Sequence, residues 1–174
     1  FKQRCRINEH VIRDGNSYRC EECEAGKFRD GGDLVENGLT FCQTVLCDEN
    51  EYVNDSNQCV ACPPGSYNAP GDDSSGTPTT CNAILCSEDY RVSNHTCVEC
   101  DLGTYNAPGN DSSGPDTYCQ TVLCDENEYV SNYTCQACPP GTYNAPGDNA
   151  SINTNTTCNA ILCDTDHYVE NHTC

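Results

Sequence analysis

Cysteine spacing constrains this chain more than any other feature. From Cys47 it reads C-x11-C-x2-C-x18-C-x4-C, and the same five-cysteine pattern restarts at Cys86 and Cys124 with spacings that differ by one residue at most. The words between the cysteines also return. Cys59-Val60-Ala61-Cys62-Pro63-Pro64-Gly65-Ser66-Tyr67-Asn68-Ala69-Pro70-Gly71-Asp72 recurs almost unchanged from Cys97 to Asn110 and from Cys135 to Asp148. Self-similarity at a fixed period marks an array of like units. The units fall at 1–42 (atypical and basic), 43–81, 82–119 and 120–158, with a partial repeat at 159–174.

A unit of this size buries too little apolar surface to fold on hydrophobicity alone, so cross-links must supply the difference. Composition agrees: the chain has no Trp, no Met and three Phe against 18 Cys, a fraction at which a disulfide scaffold is the default. The predicted fold class is therefore a small disulfide-rich repeat protein, an elongated rod of tandem cysteine-rich modules with short antiparallel β-strands and little or no helix. So many cysteines also imply an oxidising compartment, which makes the chain extracellular or exposed at the cell surface.

We label the cysteines of each unit a to d, with a-x4-b, then b, c-x2-d, and d leading to the next a. Among simple periodic pairings, joining b to c and d to the next a leaves no cysteine over. It gives Cys5–Cys20, Cys23–Cys42, Cys47–Cys59, Cys62–Cys81, Cys86–Cys97, Cys100–Cys119, Cys124–Cys135, Cys138–Cys158 and Cys163–Cys174. Pairing a with c and b with d strands Cys20 and Cys163, and pairing a with b and c with d strands Cys5 and Cys174. The competing reading makes each C-x2-C a zinc or redox site. Against it, the partner pair is C-x4-C, the four histidines (His10, His95, His167, His172) are out of register, and no βαβ pattern surrounds the motif.

Between the cysteines, the junction tetrads Gln43-Thr44-Val45-Leu46, Asn82-Ala83-Ile84-Leu85, Gln120-Thr121-Val122-Leu123 and Asn159-Ala160-Ile161-Leu162 read as short strands. So do the pairs Tyr52-Val53, Tyr129-Val130 and Tyr168-Val169. Tyr67, Tyr105 and Tyr143 are expected to pack on neighbouring disulfides. The long loops that begin Asn68-Ala69-Pro70-Gly71 consist of turn residues throughout and are expected to be solvated. Their Asp and Asn oxygens raise calcium as a weak possibility, since no loop has the spaced acids and distal Glu of a dedicated site. No cofactor is otherwise expected, and no metal site.

N-x-S/T sequons fall in register. Asn94, Asn132 and Asn171 each stand three residues before the c cysteine, and Asn54 lies in the equivalent loop; Asn110, Asn149 and Asn155 lie in the long loops. Repetition at one repeat position strengthens a motif that is weak singly, and N-linked glycans are expected. Net charge is −19, which makes nucleic acid an improbable partner. Seven of the eight basic residues (Lys2, Arg4, Arg6, Arg13, Arg19, Lys27, Arg29) lie in the first 29 residues, against five acidic ones there. That split suggests homo-assembly, with the basic first unit of one copy meeting the acidic repeats of another. Capping of the array is the plainer role for this unit. No leader or membrane-spanning run is visible, so the window reads as part of a longer polypeptide that touches a membrane only through an anchor outside it. Catalysis is not expected: the histidines share no arrangement with a nucleophile, and loop acids are more often solvated than catalytic.

The recurring C-x2-C-P-P-G-[ST]-Y-N-A-P-G-D, followed by T-x-C-N-A-I-L-C, resembles the cysteine-rich repeats of ciliate surface proteins, including the immobilization antigens. The resemblance covers residues 42–174, and residues 1–41 in cysteine spacing alone. It implies an extracellular glycoprotein coat held by a lipid anchor. More loosely, C-x2-C-x2-Gly-x-Tyr resembles modules of tumour-necrosis-factor and ephrin receptors, in which the second cysteine joins the next one along. Two functions follow as expectations: a structural surface coat or extracellular filament, or a ligand-binding or adhesive receptor ectodomain.

Overall fold

Each hairpin begins where the chain must turn left-handed. Asn8, Asn50, Asp89 and Asn127 take φ of 64, 63, 62 and 63°, a region that Asn and Asp tolerate better than other residues with a Cβ. Antiparallel hairpins follow: Glu9–Asp14 with Ser17–Glu22, Glu51–Val53 with Cys59–Ala61, Tyr90–Ser93 with Thr96–Glu99, and Glu128–Ser131 with Thr134–Ala137. The structure, a computed structural model, describes residues 2–152, 154–170 and 172–174. By its contacts the chain divides into two units, Phe1–Ile84 and Leu85–Cys174.

A second, shorter ladder follows each hairpin. Lys27–Phe28 pairs with Gln43–Thr44, Ser66–Tyr67 with Asn82–Ala83, Thr104–Tyr105 with Gln120–Thr121, and Thr142–Tyr143 with Asn159–Ala160. Only the first two residues of each junction tetrad are therefore strand. The leucines Leu46, Leu85 and Leu123 make single bridges to Asp73, Asp111 and Asn149 instead. Tyr168-Val169, expected as a strand, lies outside one, because pairing there stops at the single bridge between Glu170 and Thr173. The described residues hold no α-helix, and one 3-10 turn at Val35–Asn37 occupies the first unit.

The protein is strand-rich and disulfide-stapled. Cys5–Cys20, Cys23–Cys42, Cys47–Cys59 and Cys62–Cys81 close the first unit. Cys86–Cys97, Cys100–Cys119, Cys124–Cys135, Cys138–Cys158 and Cys163–Cys174 close the second. Every b cysteine joins its c, every d joins the next a, and no cysteine is free.

One valine per hairpin completes the core. Val11, Val53, Val92 and Val130 are 0 % exposed, and each lies directly across the ladder from the c cysteine of its own hairpin. A threonine from the d–a loop clamps each of them. Thr40, Thr79, Thr117 and Thr156 accept the valine N–H on Oγ1 at 2.8 to 2.9 Å. Their own N–H groups donate to the same valines' carbonyls at 2.9 to 3.0 Å. The hydroxyl thus satisfies a buried N–H that would otherwise cost about 1–3 kcal/mol.

The loops are not solvated throughout, contrary to expectation. Ser74, Ser112 and Ala150, at one repeat position, are at most 1 % exposed. In the first unit the Ser74 hydroxyl bonds the carbonyls of Gly26 and Val45, both at 2.8 Å. In the second, the Ala150 N–H donates to Val122 at 3.0 Å, and Ala150 packs with Cys124 and Val130. What buries Ser74 and Ala150 is backbone from the preceding module, with Ser74 lying 48 residues from Gly26 and Ala150 seated against Gly103. The loop is half turn and half plug.

Candidate functional site

Turn geometry sets how the sequons are presented. Asn94-His95 and Asn132-Tyr133 are consecutive left-handed residues, with φ of 48 and 59° and of 50 and 61°, as a two-residue hairpin loop of the favoured twist requires. Asn94 and Asn132 therefore stand exposed at hairpin tips. Asn54 is half-buried in a longer loop, its Oδ1 accepting from the N–H groups of Ser56 at 2.9 Å and Gln58 at 3.0 Å. Asn110 is half-buried and donates Nδ2 to the Ala107 carbonyl at 3.0 Å. Asn149 is also half-buried and accepts from Ser151. Asn155 is exposed, and its Oδ1 receives the Asn132 N–H at 3.0 Å, so two sequons meet through one hydrogen bond. Asn171 lies outside the described residues.

Among the described residues, cysteine and glutamate come together three times, as Cys5, Glu9 and Cys20, as Cys47, Glu51 and Cys59, and as Cys124, Glu128 and Cys135. Metal ligation needs thiolate, whereas these sulfurs are joined in disulfides. The glutamates have a structural task, each accepting the backbone N–H three residues earlier, from Arg6, Asp48 and Asp125.

The loop acids bond their own loop. Asp72 receives the Thr79 hydroxyl and the Asn68 amide, which hold its carboxyl below the usual range. Asp73 and Asp111 are lowered in the same direction by the hydroxyls and N–H groups of Ser75 and Ser113. Those contacts hold the Asp-rich turns in shape.

Much of the basic charge of the first unit is neutralised at home. Lys2 pairs with Glu36, Arg19 with Asp14 and Glu21, Lys27 with Glu24, and Arg29 with Asp33. Arg4, Arg6 and Arg13 are exposed and make no ion pair among the described residues. The aromatic residues Phe28, Tyr67, Tyr105 and Tyr143 are 43, 49, 45 and 47 % exposed. Each lies across its ladder from a carboxamide, and the Tyr105 hydroxyl donates to Gln120 at 2.9 Å.

No protein-family model, curated protein or solved structure matches the chain. No described helix is long and apolar enough to cross a membrane. Eighteen cysteines closed into nine disulfides fit a secreted or extracellular protein, because such bonds persist only where the surroundings are oxidising.

Proposed function

We propose that the chain is a structural glycoprotein of a cell surface or extracellular layer, non-catalytic, akin to the ciliate surface repeats whose cysteine and Pro-Pro-Gly words it resembles. The observation that carries this reading is the repetition of one glycan-ready turn, Asn94 and Asn132 exposed at the same hairpin position of successive modules. A coat calls for a surface that is alike from module to module. A receptor ectodomain calls for one regular repeat kept free of sugar around an exposed aromatic or apolar patch.

Glycopeptide mapping of unreduced protein separates the two. The coat reading expects occupied sequons in every repeat, with Asn94 and Asn132 the most completely modified because both are exposed at two-residue hairpin tips. A regular repeat left bare beside glycosylated neighbours would favour a receptor.

Assembly through the first unit belongs to the same proposal, narrowed by the ion pairs. Arg4, Arg6 and Arg13 are the cations left to meet acidic repeats of a second copy, and exposed charges attract weakly across salt. Sedimentation should therefore find association near 20 mM salt, as an order-of-magnitude choice well below the screening regime, and loss of it near about 0.5 M. Association that is indifferent to salt would remove the electrostatic joint.

A further inference from the structure

The first unit departs from the regular repeats in the loop that follows its aromatic ring. Two residues after the left-handed glycine every module carries an aromatic ring facing a carboxamide: Phe28 with Gln43, Tyr67 with Asn82, Tyr105 with Gln120, Tyr143 with Asn159. That pair belongs to the repeat fold, and its exposure alone marks no site. What differs is the sequence after the ring. The regular modules continue Asn-Ala-Pro-Gly, whereas the first continues Arg29-Asp30-Gly31-Gly32-Asp33. The exchange sets a guanidinium–carboxylate pair beside the ring, where a recess of about 350 Å³ is lined by Phe28, Arg29, Asp30, Gly31, Asp33 and Gln43. Gly31 is fixed there by its φ of 80° and by the Arg6 backbone, which a Cβ would meet at 2.6 Å.

We propose that this recess binds one ring of a neutral saccharide. An anion finds little there, because Arg29 directs Nε and Nη2 at Asp33 and Nη1 at the Phe41 carbonyl at 2.7 Å. A cation fares no better, because Asp33 is held by that same guanidinium and Asp30, the other lining carboxylate, is exposed, where a charge pair is worth little. What the recess offers is a mainly polar lining: part of the exposed Phe28 ring, a carboxamide that both donates and accepts, and carboxylate oxygens with lone pairs to spare. A sugar ring has the matching surfaces, one face of C–H groups to lie on Phe28 and an edge of hydroxyls that donate and accept. The volume is near the lower limit for ligand pockets, which suits one pyranose and excludes a peptide. Because the Arg29–Asp33 pair is already ordered, binding loses little entropy in arranging it. The proposal stands apart from the coat reading, since it concerns the one module that is unlike the others.

Saturation-transfer difference NMR on the full chain tests it, with methyl α-mannopyranoside, methyl β-galactopyranoside and N-acetylglucosamine as probes. Transfer to at least one sugar at millimolar affinity is expected. Phe28→Ala and Gln43→Ala should each weaken it by about tenfold or more, while Tyr105→Ala, a ring of the same repeat position in the other unit, leaves it unchanged. Thiol titration reports whether each variant keeps its disulfides. If Phe28→Ala releases thiols, the exposed Gln43 decides the matter alone. No transfer to any of the three sugars overturns the proposal, as does transfer that survives Gln43→Ala or is lost on Tyr105→Ala.

Discussion

A chain with both Cys124 and Cys135 replaced by serine is expected to lose the third regular hairpin while the unit of residues 1–84 keeps its own. The bridge closes a ring with a sequence separation of 11, and opening it returns about 3 kcal/mol of chain entropy to the unfolded state. Burial adds to that. Cys124 is 2 % exposed and packs with Val130 and Ala150, so a serine hydroxyl there enters an apolar contact without a partner, at about 1–3 kcal/mol. A whole domain is stable by only about 5–15 kcal/mol, and the combined loss is a large part of it. Opening Cys138–Cys158 instead, with its separation of 20, changes the entropic part by only about 0.5 kcal/mol, because the dependence on ring length is logarithmic. Native-state hydrogen exchange is the measurement. Protection should vanish at Val130 and Thr156, whose N–H groups close the valine clamp, and persist at Val53 and Thr79. Retained protection at Val130 would mean that hydrocarbon rather than sulfur holds the module.

That contrast follows how the sequence could be read. The pairing of b with c and d with a was legible because periodic spacing leaves few ways to join every cysteine. The hairpins were legible where a tyrosine precedes the buried valine, as in Tyr52-Val53 and Tyr129-Val130. They were harder to see at His10-Val11 and Arg91-Val92, where the neighbouring side chain is polar and points away from the core, although both valines are fully buried. Tyr67, Tyr105 and Tyr143, expected against disulfides, remain about half exposed. Their hairpin is two residues long on each strand, too short to fold a face over the ring.

The loops were the main misreading, and the reason is physical. Asp73-Ser74, Asp111-Ser112 and Asn149-Ala150 look like turn sequence, and the Asx turn they form is real. At Ser74 and Ala150 nothing local reveals a plug, because the seat lies in the preceding module. The signal available was comparative: small residues at one register in Ser74 and Ala150, matched to a glycine at one register in Gly26 and Gly103. Charge misled in a similar way. The count of basic residues in the first unit pointed outward, whereas Lys2, Arg19, Lys27 and Arg29 turn to acids of their own unit. In the case of Arg29 that inward turn also builds the recess beside Phe28.

The seat itself can be broken by one methyl group. Gly103→Ala is expected to dislodge the 148–156 loop, whereas Gly141→Ala is expected to be far milder, although the two glycines have nearly the same backbone, with φ of 74 and 83°. Both substitutions place a Cβ in the left-handed region, a strain of about 1–2 kcal/mol. At Gly141 nothing lies within 4 Å of the new atom, and strain is the whole cost. At Gly103 the added Cβ would lie 2.2 Å from the Ala150 carbonyl oxygen and 2.4 Å from its carbon. Those are backbone atoms, so no rotamer change relieves the overlap and the plug must leave. Its departure breaks the Ala150 to Val122 hydrogen bond and uncovers Cys124 and Val130, adding several kcal/mol on the scale of other core disruptions, about 2–5 kcal/mol. Thermal unfolding of the two variants should differ accordingly, and exchange of the Ala150 amide should accelerate in Gly103→Ala alone. Equal destabilisation would show that the glycine is kept for its backbone angle and not for the module it receives.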